Sequence, residues 1–220
     1  MEPEITAAEP RWRRRKGDRP VEILDAAARV FGERGFAVAR LDDVAAEAGV
    51  TKGTIYLYYK SKQELLKAVV RHFIIDQVSG RERDIAESDA PTADILRNIF
   101  SSFGFLKAQA PQPVLAKLII AEAQNFPDLA RFYVEEVLVR SRQQIRGLLE
   151  RGIIRGEFRP VDTRYAYFSF IGPVFAGTVW RTVFQPYDSE PLDLRKVFEI
   201  QIDMLLHGVL KNPQTSSKEL

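Results

Sequence analysis

The side chains best equipped to hydrogen-bond an anionic surface gather in one short stretch. Thr51, Lys52 and Thr54 stand around Gly53, with Tyr56 and Tyr58 just beyond. Hydroxyls, phenols and an ammonium make no nucleophile–base pair, but all of them can donate to phosphate oxygens or base edges. The small polar members fall at the start of a helix predicted over residues 52–58, where the first backbone N–H groups also lack partners. A helix leading with such an end is what a helix-turn-helix module offers to the major groove of duplex DNA.

The elements that must position these residues follow from their neighbours. A first helix is predicted over residues 41–48, with Val44, Ala45 and Ala48 on one face. Gly49 stops it, because glycine accepts the left-handed backbone that ends a helix. Val50 is an apolar plug in the turn, and the Thr51 hydroxyl caps the next helix near Thr54. Before them, residues 19–34 carry Ile23, Ala27, Val30 and Phe31 at the i, i+4, i+7, i+8 spacing of a helix with one buried face. Pro20 suits its first turn and Gly35 ends it. After them, Ser61 and Glu64 read as a capping box that opens a fourth helix, with Leu65, Leu66, Val69, Val70 and Phe73 inward. Some 18 residues long, or roughly 27 Å, it is the natural lever towards the rest of the chain.

This stretch resembles the DNA-binding motif of the TetR family of bacterial transcriptional regulators. The match runs without a gap through Gly35-Phe36, Val44-Ala45, Ala48-Gly49-Val50-Thr51-Lys52-Gly53-Thr54-Ile55-Tyr56, Tyr58-Tyr59, Lys62 and Leu65. The resemblance implies DNA contacts from Thr51, Lys52, Gly53, Thr54, Tyr56, Tyr58 and Lys62. The threonines would meet phosphates or base edges, Lys52 a guanine edge, and the tyrosines and Lys62 phosphates. Gly53 would let the backbone come close, while Ile55 and Tyr59 belong to the core. The chain departs from the family at Arg40, where a serine or threonine usually caps the second helix. Arginine cannot accept the bond, a loss of about 1 kcal/mol. Asp42 and Asp43 partly compensate at the positive end of the helix dipole. Arg40 is either a phosphate contact in place of the hydroxyl or a solvated cation.

Composition supports the same class. Between residues 11 and 75, 14 Lys and Arg stand against 8 Asp and Glu; from residue 76 onward the numbers are 18 and 19. Positive charge therefore surrounds the helix-turn-helix. Five cations in the six residues Arg11–Lys16 either reach along DNA or form a solvated tail. With no cysteine, thiolate metal sites and disulfides are excluded. His72 and His207 stand in no metal-ligand spacing, and the adjacent acids Asp42-Asp43 and Glu135-Glu136 point to different helix sides. No phosphate loop or nucleophile elbow occurs, so an enzyme is not expected, nor is a cofactor or metal. No apolar run reaches the ~20 residues of a spanning helix, and a cytoplasmic location without membrane contact is expected.

The remaining pattern is helical: residues 92–109, 114–125, 128–151 closed by Gly152, 163–184 kinked at Pro173, and 192–210. The fold expected is all-α with about nine helices and no strands. Residues 1–18 read as a disordered basic arm, 19–66 as the helix-turn-helix domain, 67–211 as an effector-binding and dimerisation domain, and 212–220 as a disordered tail. The last two helices, about 163–184 and 192–210, each carry two apolar stripes where a monomer needs one. That suggests a partner, and the resemblance implies a homodimer through them, reading a palindromic operator in double-stranded DNA. It also implies a pocket for a small-molecule effector, for which Phe100, Phe103, Ile119, Phe132 and Phe168 are the candidates. An effector that prefers the free form would weaken DNA binding by the same factor, so the function expected is a repressor released by its ligand. A DNA organiser of little sequence preference is the alternative, with an α-helical enzyme behind it.

Overall fold

A computed structural model describes residues 19–76, 88–101, 111–190 and 192–210. The arm at 1–18, the tail from 212 and Phe103 lie outside the described residues. Nine helices follow one another among the described residues: α1 Arg19–Arg34, α2 Leu41–Ala48, α3 Lys52–Tyr58, α4 Lys62–Val70, α5 Thr92–Ser101, α6 Gln112–Glu122, α7 Pro127–Tyr133 continuing to Ile154, α8 Thr163–Val179 and α9 Leu194–Val209. No β-strand occurs among them. The nearest thing to one is an isolated antiparallel bridge between Phe158 and Leu210.

Three helices widen into π-helical turns: α4 at Arg71–Ile75, α7 at Val134–Leu138 and α8 at Trp180–Phe184. The first two are joined by an ion pair. The Arg71 guanidinium donates to both Glu136 carboxylate oxygens, at 3.2 and 2.7 Å, and lies 4.8 Å from the Phe132 ring centre. α4 is thereby fastened to α7. It is described as far as Asp76, and the remainder of the expected 18 residues lies outside the described residues.

The buried side chains form two clusters. One holds α1 to α4 together with Leu115, Leu118 and Ile119 of α6 and Leu129, Phe132 and Tyr133 of α7. It thus spans the expected division at residue 66. Phe36, fully buried, meets Phe126 edge-on at 5.1 Å, and the Ala37 N–H donates to Glu122 Oε1 at 3.3 Å. The other cluster joins α5, the end of α7, α8 and α9. At its edge the Thr92 N–H that opens α5 donates to Glu157 Oε2 at 2.6 Å. Arg159 hooks the end of α9, through Nε to Gly208 O at 2.7 Å and N–H to Val209 O at 2.8 Å.

Several boundaries differ from expectation, each for a local reason. α6 starts at Gln112 and not at 114, because Pro113 fits its first turn, where its missing N–H is harmless. Gly152 does not close α7, which runs on to Ile154. The Phe158 ring packs against the Gly152 Cα where a β-carbon would stand, and Gly156, at φ 72°, turns the chain. α8 runs through Pro173, where no end was expected.

Candidate nucleic-acid interface

α3 is seven residues long and held by one anchor. Ile55 is wholly buried among the residues of α1, α2 and α4. Gly49 adopts the left-handed φ of 64° that the turn requires, and the Val50 N–H closes it onto Ala45 O at 2.9 Å. The Thr54 N–H then donates to Thr51 Oγ1 at 3.2 Å, and the two hydroxyls stand 2.9 Å apart. That cap satisfies one of the first-turn donors. Thr51, Lys52, Gly53, Tyr56 and Tyr58 are all exposed, while Thr54 is half-buried. The expected contact residues of α3 therefore stand on one accessible end and its flanks. Leu57 also stands out from this helix, more exposed than Tyr56 or Tyr58. Sequence reasoning passed it over, although its place two residues after the buried Ile55 puts it on the far side of the helix.

Lys52 is paired across the turn. Its ammonium donates to Asp42 Oδ2 at 2.8 Å, and that hydrogen bond, with the carboxylate's charge, holds its pKa above the ordinary lysine value. Arg40 is exposed at the start of α2 with its side chain making no cap. Its N–H instead donates to Asp43 Oδ2 at 3.0 Å, the half of a capping box that an arginine permits. Asp43 also pairs with Arg34 at 2.7 Å, and Glu47 with Arg29 at 2.7 Å. Two acids of α2 thus neutralise cations of α1, and Arg40 stands beside the recognition helix.

Lys62, expected to meet a phosphate, is engaged within the fold. Its ammonium donates to three carbonyl oxygens, those of Phe36 at 2.6 Å, Ala37 at 3.1 Å and Ala39 at 2.9 Å, above the Phe36 ring. Three N–H bonds use all three protons. Burial pushes its pKa down from the ordinary value. Lys62 locks the α1–α2 turn to the start of α4.

The four described pocket candidates do not line one chamber. Ile119 and Phe132 are buried in the cluster that holds the DNA-reading helices, whereas Phe100 lies in the other, 5.9 Å from Phe170. Phe168 is 60% exposed, on the outer side of α8. A helical period tells which residues share a face but not which neighbour that face meets. A groove of about 930 Å³ opens instead between α1, α6 and the Arg181–Thr182 turn, lined by charged and apolar groups alike. Deeper in the helices after α4, Gln112 Oε1, Arg146 Nε and Trp180 Nε1 are buried without a hydrogen-bond partner.

Comparisons with known proteins agree with this arrangement. Residues 23–69 match the family described as bacterial regulatory proteins, tetR family, and residues 96–208 match the C-terminal domain of AefR-like transcriptional repressors. The transcriptional repressor KstR2 of Mycobacterium tuberculosis is 30% identical over 195 residues, covering 86% of this chain and 92% of that protein. Among solved structures, FadR from Bacillus subtilis in complex with stearoyl-CoA has a TM-score of 0.73 at 27% identity, covering 86% of this chain and 98% of that one. The ketosteroid transcriptional regulator KstR2 of Mycobacterium tuberculosis has a TM-score of 0.67 at 29% identity, covering 88% and 96%. Both halves of the chain are matched in the order that the geometry requires, and the chain belongs to the TetR family: it is a DNA-binding, ligand-responsive transcriptional repressor.

Proposed function

We propose that the protein acts as a homodimer that closes a palindromic operator until an extended, mostly apolar ligand releases it. The observation that carries the DNA half is the capped end of α3, held out from the core by Ile55 alone. Arg40, Thr51, Lys52, Gly53, Thr54, Tyr56 and Tyr58 are the contacts of each half-site. Lys52 exchanges Asp42 for a guanine edge or a phosphate on binding.

The dimer half rests on the outer sides of α8 and α9. Tyr165 is 71% exposed there, together with Phe168, Phe184, Ile200 and Met204. A set of large apolar side chains on two neighbouring helices fits a surface that a second copy covers. The ligand half rests on polar atoms of α6, α7 and the end of α8 that are buried without a partner, which suit the polar head of a ligand with an apolar body. FadR holds stearoyl-CoA and KstR2 is a ketosteroid regulator, both molecules of that build.

One titration tests the whole reading. Operator affinity is measured for wild type and Phe168→Glu, each with and without long-chain acyl-CoA or a ketosteroid. The wild type should bind tightly and lose at least ten-fold with one ligand class, and Phe168→Glu should bind weakly as a monomer. A tight-binding, dimeric Phe168→Glu would contradict the interface, and indifference to every apolar ligand would contradict the effector class.

A further inference from the structure

Leu57 has no work in the fold. It is 82% exposed, the most exposed large apolar side chain of the four described helices that build the DNA-reading head. At about 100° per residue, it stands about 200° round the helix from Ile55, so it faces nearly straight away from the core. Gly53 lies about as far round in the other direction. Residues 53 and 57, four apart, therefore share the outermost line of α3. Tyr56 and Tyr58 flank that line on either side.

Gly53 strengthens the point. It has no positive φ, and a β-carbon built on it would meet nothing nearer than Thr51 Oγ1, at 3.7 Å. The fold itself does not need a glycine there. The bare backbone at 53 leaves Leu57 unscreened and lets this line of the helix approach another surface closely. Flanking phenols can reach the two phosphate walls of a groove, but a leucine can hydrogen-bond neither a phosphate nor a base edge. The one apolar group on a base edge in the major groove is the C5-methyl of thymine.

We infer that Leu57 is a specificity-determining residue, which packs on a thymine methyl at the floor of the major groove in each half-site. The inference rests on the operator-binding reading above and adds to it the base that the outermost side chain selects. The expected operator carries a thymine at a fixed position in both half-sites, opposite the Gly53–Leu57 line.

The test replaces each operator thymine in turn with deoxyuridine, which removes the methyl and keeps every hydrogen-bonding group. Affinities at one fixed salt concentration are compared for wild type, Leu57→Ala and Leu57→Met. For wild type, uridine at one position should weaken binding roughly four-fold per half-site, the size expected for one methyl removed from a buried contact. Leu57→Ala should bind the thymine operator more weakly and ignore the replacement, while Leu57→Met should remain sensitive to it. Since residue 57 is exposed, all three should melt at the same temperature. The inference is overturned if wild type binds all uridine operators as well as the thymine operator. It is also overturned if Leu57→Ala keeps the full penalty at the same position. Either result leaves operator binding standing; a wild type that selects no operator at all would overturn both.

Discussion

Lys62 shows how one residue's type can fit two tasks. Its place in the helix-turn-helix match implies a phosphate contact, yet its three protons are taken by carbonyls 23 to 26 residues earlier in the chain. That is a tertiary contact which no local spacing reveals. By contrast the Thr51 cap and the Gly49 turn were legible, because each depends on near neighbours in the chain, and Ile55 was legible through the family resemblance. Leu57 was legible in principle from the same helical period. Lys62→Met should cost about 1–3 kcal/mol of stability in urea unfolding, since it strands three carbonyls of a tight turn. It should leave the salt dependence of operator binding unchanged. A residue that held a phosphate would instead lower the salt slope by about one unit with little change in stability.

Among the elements, α1, α2 and α3 begin and end where caps, glycines and apolar spacing place them. The π turns were not legible, since a widened turn has no residue signature of its own. Gly152 was misread because a glycine in a helical pattern signals either a stop or a close approach, and only the later Phe158 decides between them. Two substitutions on α7 separate these meanings. Gly152→Ala should destabilise by about 1–3 kcal/mol, because the new methyl collides with the Phe158 ring. Gly147→Ala, with open space at its β-position, should be neutral or stabilise by up to about 1 kcal/mol. Equal costs in urea unfolding would contradict the packing at Gly152.

The joint between α4 and α7 carries a pH dependence. The hydrogen bond from Arg71 and its charge hold the Glu136 carboxyl below its ordinary value of 4.5. A depressed folded pKa favours the folded state above the unfolded value and loses that contribution as pH falls through the folded one. Stability should therefore decline below about pH 4.5, and Glu136→Gln should remove part of that decline, under about 1 kcal/mol for so accessible a pair. Acid unfolding curves of the two proteins, if they run parallel throughout, would contradict the joint.

Across the whole molecule the fold class and the reading head were legible, because they rest on periodicity and on one dense motif. The partition of the core was not. Apolar stripes on α6 and α7 do not say that Ile119 and Phe132 belong with the DNA-reading helices, or that Phe168 faces outward. Those assignments come from packing between segments far apart in sequence. The result has a consequence for coupling. Phe36 on Phe126, Ala37 on Glu122 and Arg71 on Glu136 join the reading head to α6 and α7. A ligand that shifts those helices moves the recognition helix with them.

The most direct measurement is a binding selection of genomic fragments on the purified protein, followed by sequencing of the bound DNA. The account predicts one enriched near-palindrome, with half-sites spaced by about one helical turn or a small multiple of it. It also predicts that Lys52→Ala and Tyr56→Ala lose that enrichment while remaining folded. Fragments retained without any shared sequence, or a palindrome that both variants still select, would contradict it.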